Sequence, residues 1–177
     1  MDVMIRNHAE APGSVRDSFD SFYRGEWRNV VGLAYVLTGD WGVAEDLAQE
    51  AFSAAAQKWE RVRAMDRPGA WVRRVVANRS VSWFRRRSAE GRALSRLGNP
   101  ASDAAPEVDA RTAEVWTSVR QLPKRQAQAI ALVYFDGMKI EEASRVMGCG
   151  RETARTHLKR GRKALANRLG LQEGHHA

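Results

Sequence analysis

Apolar residues in this chain recur at steps of three and four, block after block, and nowhere at steps of two over a useful length. That spacing is the period of a helix with one buried stripe, and it leaves no strand from which to build a sheet. In the first block Phe19, Phe22, Tyr23, Trp27, Val30, Val31 and Ala34 form the stripe, and Thr38-Gly39-Asp40 ends it. A second stripe starts near Gly42 and runs through Ala44, Leu47, Ala48, Ala51, Phe52, Ala55 and Trp59. Residues 61–69 contain Asp66-Arg67-Pro68-Gly69, a turn whose proline is placed to open a helix. The third helix is expected over 70–86, with Trp71, Val72, Val75, Val76 and Phe84 at its apolar positions.

The period lapses at the ends and once in the middle. Residues 1–18 are polar, with Pro12 and Gly13, and read as a disordered tail. Residues 89–111 are rich in Ala, Gly, Pro, Ser and Asp and read as a flexible linker. The helical period returns at Thr112, and Val115, Val119 and Leu122 precede Pro123, which opens the next helix. There Ala127, Ile130, Ala131 and Tyr134 form the expected stripe, closed by Asp136-Gly137. Two further helices are expected at 140–147 and 151–169, joined by Gly148-Cys149-Gly150, with 170–177 as a second tail. The expected fold is all-α. Two small helical domains, 19–88 and 112–169, are joined by the linker, each with a small core.

The formal charge of +8 gives the chain a long-range attraction for polyanions. Its distribution says more. Residues 40–60 hold five acids against Lys58 alone, and residues 61–92 hold ten arginines against Asp66 and Glu90. Residues 151–169 hold seven bases against Glu152. An acidic surface therefore sits between two basic ones, and phosphate neutralisation is the natural use of such basic helices.

The last two helices have the layout of a helix-turn-helix: a short helix, a tight turn at Gly148 and a longer basic helix. Ser144 is small enough for close helix approach, and Ala154 and Leu158 anchor the second helix. Arg151, Glu152, Arg155, Thr156 and Lys159 are left facing outward. From the start of such a helix, arginine can read guanine and threonine can contact a base or a phosphate. In the third helix, Trp71, Arg73, Arg74, Asn78, Arg79, Trp83, Phe84 and Arg85 to Arg87 interleave aromatic and basic side chains. Such a surface can stack unpaired bases and hold a single strand, with Asn78 and Trp83 the better candidates for exposure.

Catalysis would need a nucleophile–base pair or a metal cluster. His8, His157, His175 and His176 are scattered or terminal, and no glycine-rich phosphate loop precedes a helix. Cys149, the single cysteine, cannot form an internal disulfide and reads as a small packing residue in the turn. No catalytic set, metal site or cofactor is expected. The first residues lack the apolar core of a signal peptide, and no run of about 18 apolar residues exists to span a membrane, so the chain is expected to be cytoplasmic.

Three stretches together resemble a known family. GVAEDLAQEAFSAAAQKWERV resembles region 2 of the sigma-70 family, where an acidic and apolar helix docks on the polymerase clamp helices. DRPGAWVRRVVANRSVSWFRRR resembles the part of that domain that melts and reads the −10 element. LPKRQAQAIALVYFDGMKIEEASRVMGCGRETARTHLKRGRKAL resembles region 4, which reads the −35 element. The two-domain layout is that of the extracytoplasmic-function group, and the Trp-rich first domain looks like actinobacterial SigE-like members. The resemblance covers about residues 19–88 and 112–168.

The resemblance implies a sigma factor that directs promoter-specific transcription initiation. Its implied partners are core RNA polymerase, through the clamp helices and flap, promoter DNA, and, from the group, an anti-sigma factor. Glu45, Asp46, Leu47, Gln49, Glu50 and Phe52 match the polymerase-docking helix. Arg63, Arg74, Asn78, Arg79, Trp83 and Arg86 match the −10 surface, Asn78 near the flipped base, and residues 61–67 match the base-capturing loop. Arg151, Glu152, Thr153, Arg155, Thr156 and Lys159 match the −35 recognition helix. Departures fall in the same motif: Ser144 where Ala is usual, Ala154 where Val is usual, and Gly150-Arg151 where Ser-Val or Pro-Val is commoner. They bear on which promoter is read, not on the fold.

A one-component repressor is the alternative. It would account for the helix-turn-helix but not for an acidic helix beside an arginine- and aromatic-rich one. Substituting Arg151 or Arg155 is expected to cost about 1–3 kcal/mol of −35 affinity if either makes a bidentate base contact. Binding assays on matched and mismatched −35 duplexes check this, and equal loss on every sequence would assign a phosphate contact instead.

Overall fold

The structure is a computed structural model that describes residues 15–90 and 109–170, with side chains over 18–83 and 109–170. Among the described residues the fold is eight helices and no strand. They are α1 (Val15–Thr38), α2 (Trp41–Gln57), α3 (Trp59–Arg63), α4 (Pro68–Glu90), α5 (Ala110–Arg120), α6 (Lys124–Ile130), α7 (Ile140–Met147) and α8 (Arg151–Arg168). A π-helical turn, Ala131–Phe135, continues α6. The first tail lies outside the described residues up to position 14, and Val15 to Ser18 already belong to α1. The linker lies outside them over 91–108, as do residues 171–177; Glu90 ends α4 and Ala110 opens α5.

Local chemistry accounts for the helix ends. Gly39 takes φ 75°, a conformation costly for any side chain with a Cβ, and Asp40 then caps α2 by accepting from the Val43 amide at 3.0 Å. Asp109 caps α5 in the same way through Thr112, and that bond holds its carboxyl below the usual range. Residues 61–67 are not all loop. Trp59 and Val62 are both buried, which gives the start of this segment the short helix α3. The loop proper begins at Ala64.

The core of the first half joins α1, α2 and α4 and is strongly aromatic. Phe22, Tyr23 and Trp27 all pack against Phe52, and Phe19 meets Trp59 edge to face at 5.2 Å. In the second half Val119, Leu122, Ala127 and Ile130 pack beneath Leu158 and Leu165 of α8. A third cluster belongs to both halves. Leu33, Val36 and Leu37 of α1 and Ala77 of α4 pack against Ala129, Leu132, Ala143, Val146 and Met147.

Polar contacts fix the same junction. Gln128, 1% exposed, donates from Nε2 to the Ala77 carbonyl at 2.6 Å. Arg73 of α4 donates from Nε to Asp136 at 2.6 Å and from an Nη to Glu26 at 2.7 Å. Burial alone would lower the Arg73 pKa, but Asp136 and then Glu26 more than offset it and raise it.

The π turn corrects the expected stripe. The Asp136 amide reaches back five residues to the Ala131 carbonyl at 3.1 Å, so the turn is one residue wider than an α turn. The phase of the apolar face shifts there. Tyr134 is 56% exposed rather than buried, while Phe135 reaches across to α1 and Asp136 to Arg73. Gly32 makes this approach possible, since a Cβ on it would lie 2.7 Å from the tip of the Phe135 ring.

Removing Asp136 leaves a largely buried guanidinium with one carboxylate in place of two. Asp136→Ala is expected to lower stability by about 2–4 kcal/mol, read from the midpoint shift of urea unfolding at unchanged slope.

Candidate nucleic-acid interface

α7, the turn and α8 form a helix-turn-helix. Gly148 ends α7 at φ 65°, and the following amide, of Cys149, donates to the Ser144 carbonyl at 3.1 Å. Ser144 is buried and donates its own hydroxyl to the Glu141 carbonyl at 2.8 Å. Arg125 of α6 donates to the Met147 carbonyl at 2.8 Å, closing the end of α7 from outside. α8 is then seated by its small residues. Ala154 is fully buried, and a Cβ on Gly161 would come within 3.1 Å of Ile130 and 3.3 Å of the Gln126 carbonyl.

That seating leaves one face of α8 to solvent. Arg151, Glu152, Thr153, Arg155, Thr156 and Lys159 are all exposed, at the N-terminal end where a recognition helix meets base edges. Two of its cations have partners: Arg151 pairs with Glu141 at 2.7 Å and Arg155 with Glu152 at 3.0 Å. The sequence alone does not point to Glu141, because its pairing depends on how α7 crosses α8. His157 is half-buried on the same helix. Burial, then Arg125 and Arg160, hold its pKa below the ordinary value, so it is neutral at pH 7.

α4 divides its basic residues between two jobs. Arg73 is turned inward to Glu26 and Asp136, while Arg74, Asn78 and Arg79 are exposed. Arg79 is ion-paired with Glu50 of α2. Trp83 is half-buried, and Arg86 lies in α4 with its side chain outside the described residues, as does that of Phe84. Arg63 is exposed and paired with Glu60 one turn back, at 2.6 Å. Arg67 is paired with Glu142 of α7.

The acidic face of α2 is narrower than expected. Asp46, Gln49 and Glu50 are exposed and, with Ser53, Gln57 and Arg79, surround a shallow concavity of about 430 Å³. Glu45 is half-buried. Leu47 and Phe52, at 5% and 2% exposure, point into the aromatic core and are not surface residues. Their spacing from Ala44, Ala48 and Ala51 puts them on the inward stripe.

Comparison with known proteins bears on the family and the fold. The family model for Sigma-70 region 2 matches residues 22–90, and that for Sigma-70, region 4, matches residues 112–165. The extracytoplasmic-function RNA polymerase sigma factor SigM of Mycobacterium tuberculosis is 29% identical over 161 residues, 88% of this chain and 79% of that protein. The probable RNA polymerase sigma factor RfaY of Xanthomonas campestris is 26% identical over 182 residues, and this chain spans only 45% of its length. Among solved structures, the sigma factor RpoE of Bartonella quintana, in complex with the anti-sigma factor NepR, matches with a TM-score of 0.72 at 22% identity. That match covers 88% of this chain and 99% of RpoE, and it concerns the fold.

Proposed function

Since the chain belongs to the sigma-70 family, carrying both its region 2 and its region 4, we propose that it is an alternative sigma factor of the extracytoplasmic-function group. It binds core RNA polymerase in the cytoplasm and directs initiation at specific promoters. The observation that carries this reading is one chain holding both an exposed recognition helix and an acidic face set beside an arginine-bearing one. A repressor needs only the first.

The roles are those the resemblance implies, and exposure supports them for Asp46, Gln49, Glu50, Arg63, Arg74, Asn78, Arg79 and the six residues of α8. Asp46, Gln49 and Glu50, with Glu45 at their edge, dock on the clamp helices, and Leu47 and Phe52 hold that face from beneath. Arg63, Arg74, Asn78, Arg79, Trp83 and Arg86 hold the melted −10 strand. Arg151, Glu152, Thr153, Arg155, Thr156 and Lys159 read the −35 duplex, with the region 4 half on the flap. No bond is made or broken; binding energy opens the duplex. An anti-sigma factor is part of the proposal, as RpoE is held by one.

The promoter sets a geometric condition. The −10 and −35 elements lie roughly 25 base pairs apart, about 85 Å of duplex at 3.4 Å per step. Here α4 is packed directly on α7, through Ala77, Val146 and Met147. On this reading the halves part when both elements are engaged.

Promoter binding with and without core polymerase tests the reading. The chain alone should show no specific retention of its own upstream region, and reconstituted holoenzyme should bind it and give run-off transcripts. Tight operator binding without core would establish the repressor instead. Asp46→Lys with Glu50→Lys should reduce co-purification with core polymerase by tenfold or more, with helical circular dichroism unchanged. Unchanged co-purification would remove the docking assignment.

A further inference from the structure

A cleft of about 660 Å³ lies between the two halves, and the proposed function makes no use of it. Its size falls within that of small-molecule sites. Trp27, Tyr35 and Trp41 wall it from the first half, and Trp116 and Phe135 from the second. The walls are braced. Tyr35 meets Trp41 at 5.5 Å between ring centroids, and Trp116 meets Phe135 at 5.9 Å and nearly a right angle.

Among the described residues two cations line the cleft, Arg28 and Arg120, and no carboxylate does. Arg120 is the informative one. It is half-buried, lies against the backbone of Gly39, and donates to the Val36 carbonyl at 3.5 Å and the Thr117 hydroxyl at 2.8 Å. No carboxylate among the described residues pairs with it. Burial pulls its pKa down and only Tyr35 acts the other way, the reverse of Arg73 with its two carboxylates. A partly desolvated guanidinium with neutral acceptors alone is a standing electrostatic cost, and an incoming anion relieves it.

We propose that this cleft binds a small organic acid with a flat, apolar body, its carboxylate on Arg120 and its body between the aromatic walls. Because the walls come from both halves, an occupant stabilises the arrangement in which α4 and α7 touch. Opposition to promoter engagement rests on the sigma-factor reading; the site itself does not.

Calorimetric titration of the full chain with 2-naphthoate, against 2-naphthylmethanol as the uncharged probe, tests the site without polymerase. Saturable one-to-one binding of 2-naphthoate is expected. The alcohol should bind about tenfold more weakly, and Arg120→Met should weaken 2-naphthoate by a similar factor. Ala113→Trp, which fills the cleft from the exposed side of α5, should abolish binding of both. Equal affinity of acid and alcohol for the unmodified chain would overturn the proposal without appeal to any variant. So would the absence of saturation at millimolar acid, or undiminished binding by Ala113→Trp. Each of these results leaves the dependence on core polymerase untouched, so the two readings fail separately.

Discussion

Of the guanidiniums that bond across the two halves, that of Arg73 carries the most buried ion pairs. Arg73 leaves α4 between Glu26 of α1 and Asp136 at the end of the π turn, and gives one donor group to each. The planar fork of arginine suits this; a lysine would present a point charge to two carboxylates that approach from different elements. Three charges withdrawn from water would be unfavourable singly, and here each is offset by the others. The rest of the junction follows from that arrangement. Asp136 can reach Arg73 because the turn before it is π-helical, the same turn swings Phe135 onto α1, and Gly32 leaves room for the ring.

The arginine-rich stretches look alike in sequence and are not alike in use. Arg73 is structural, Arg120 faces a cleft, and Arg79, Arg151 and Arg155 lie on the surface in pairs with Glu50, Glu141 and Glu152. Exposed pairs of this kind contribute about 0–1 kcal/mol each. They can be exchanged for phosphate contacts at little loss. A raw count of basic residues therefore overstates the charge available to DNA by those that hold the fold.

Periodicity made the longer helices legible, though not α3, along with the inward faces of α2 and α8; on α4 it left Arg73 among the outward cations. Ala154 and Leu158 pack inward and the six recognition-helix residues face out, as a 3.6-residue repeat requires. The helix ends were legible too, since Gly39, Asp40 and Gly148 act through their own local chemistry. What periodicity could not supply was anything set by a distant partner. Asp136 is 63 residues from Arg73, and Gln128 is 51 from Ala77. The exposure of Tyr134 came from a change of helical phase that no residue type announces. Family position assigns Leu47 and Phe52 to docking, although their own spacing places them in the core.

The two kinds of core differ in what holds them. Inside the first half, large rings interlock: Phe19, Phe22, Tyr23, Trp27, Phe52 and Trp59. At the junction the contact is aliphatic, with Leu33, Val36, Leu37, Leu132, Val146 and Met147 packed among Ala77, Ala129, Ala131 and Ala143. Unlike the first core, the junction also carries buried polar bonds, those of Arg73 and of Gln128. When it opens, the Ala77 carbonyl and the Gln128 amide are handed to water rather than left orphaned. The seam is therefore a surface at which the halves can separate with both bundles still folded, a sub-global opening distinct from the melting of either.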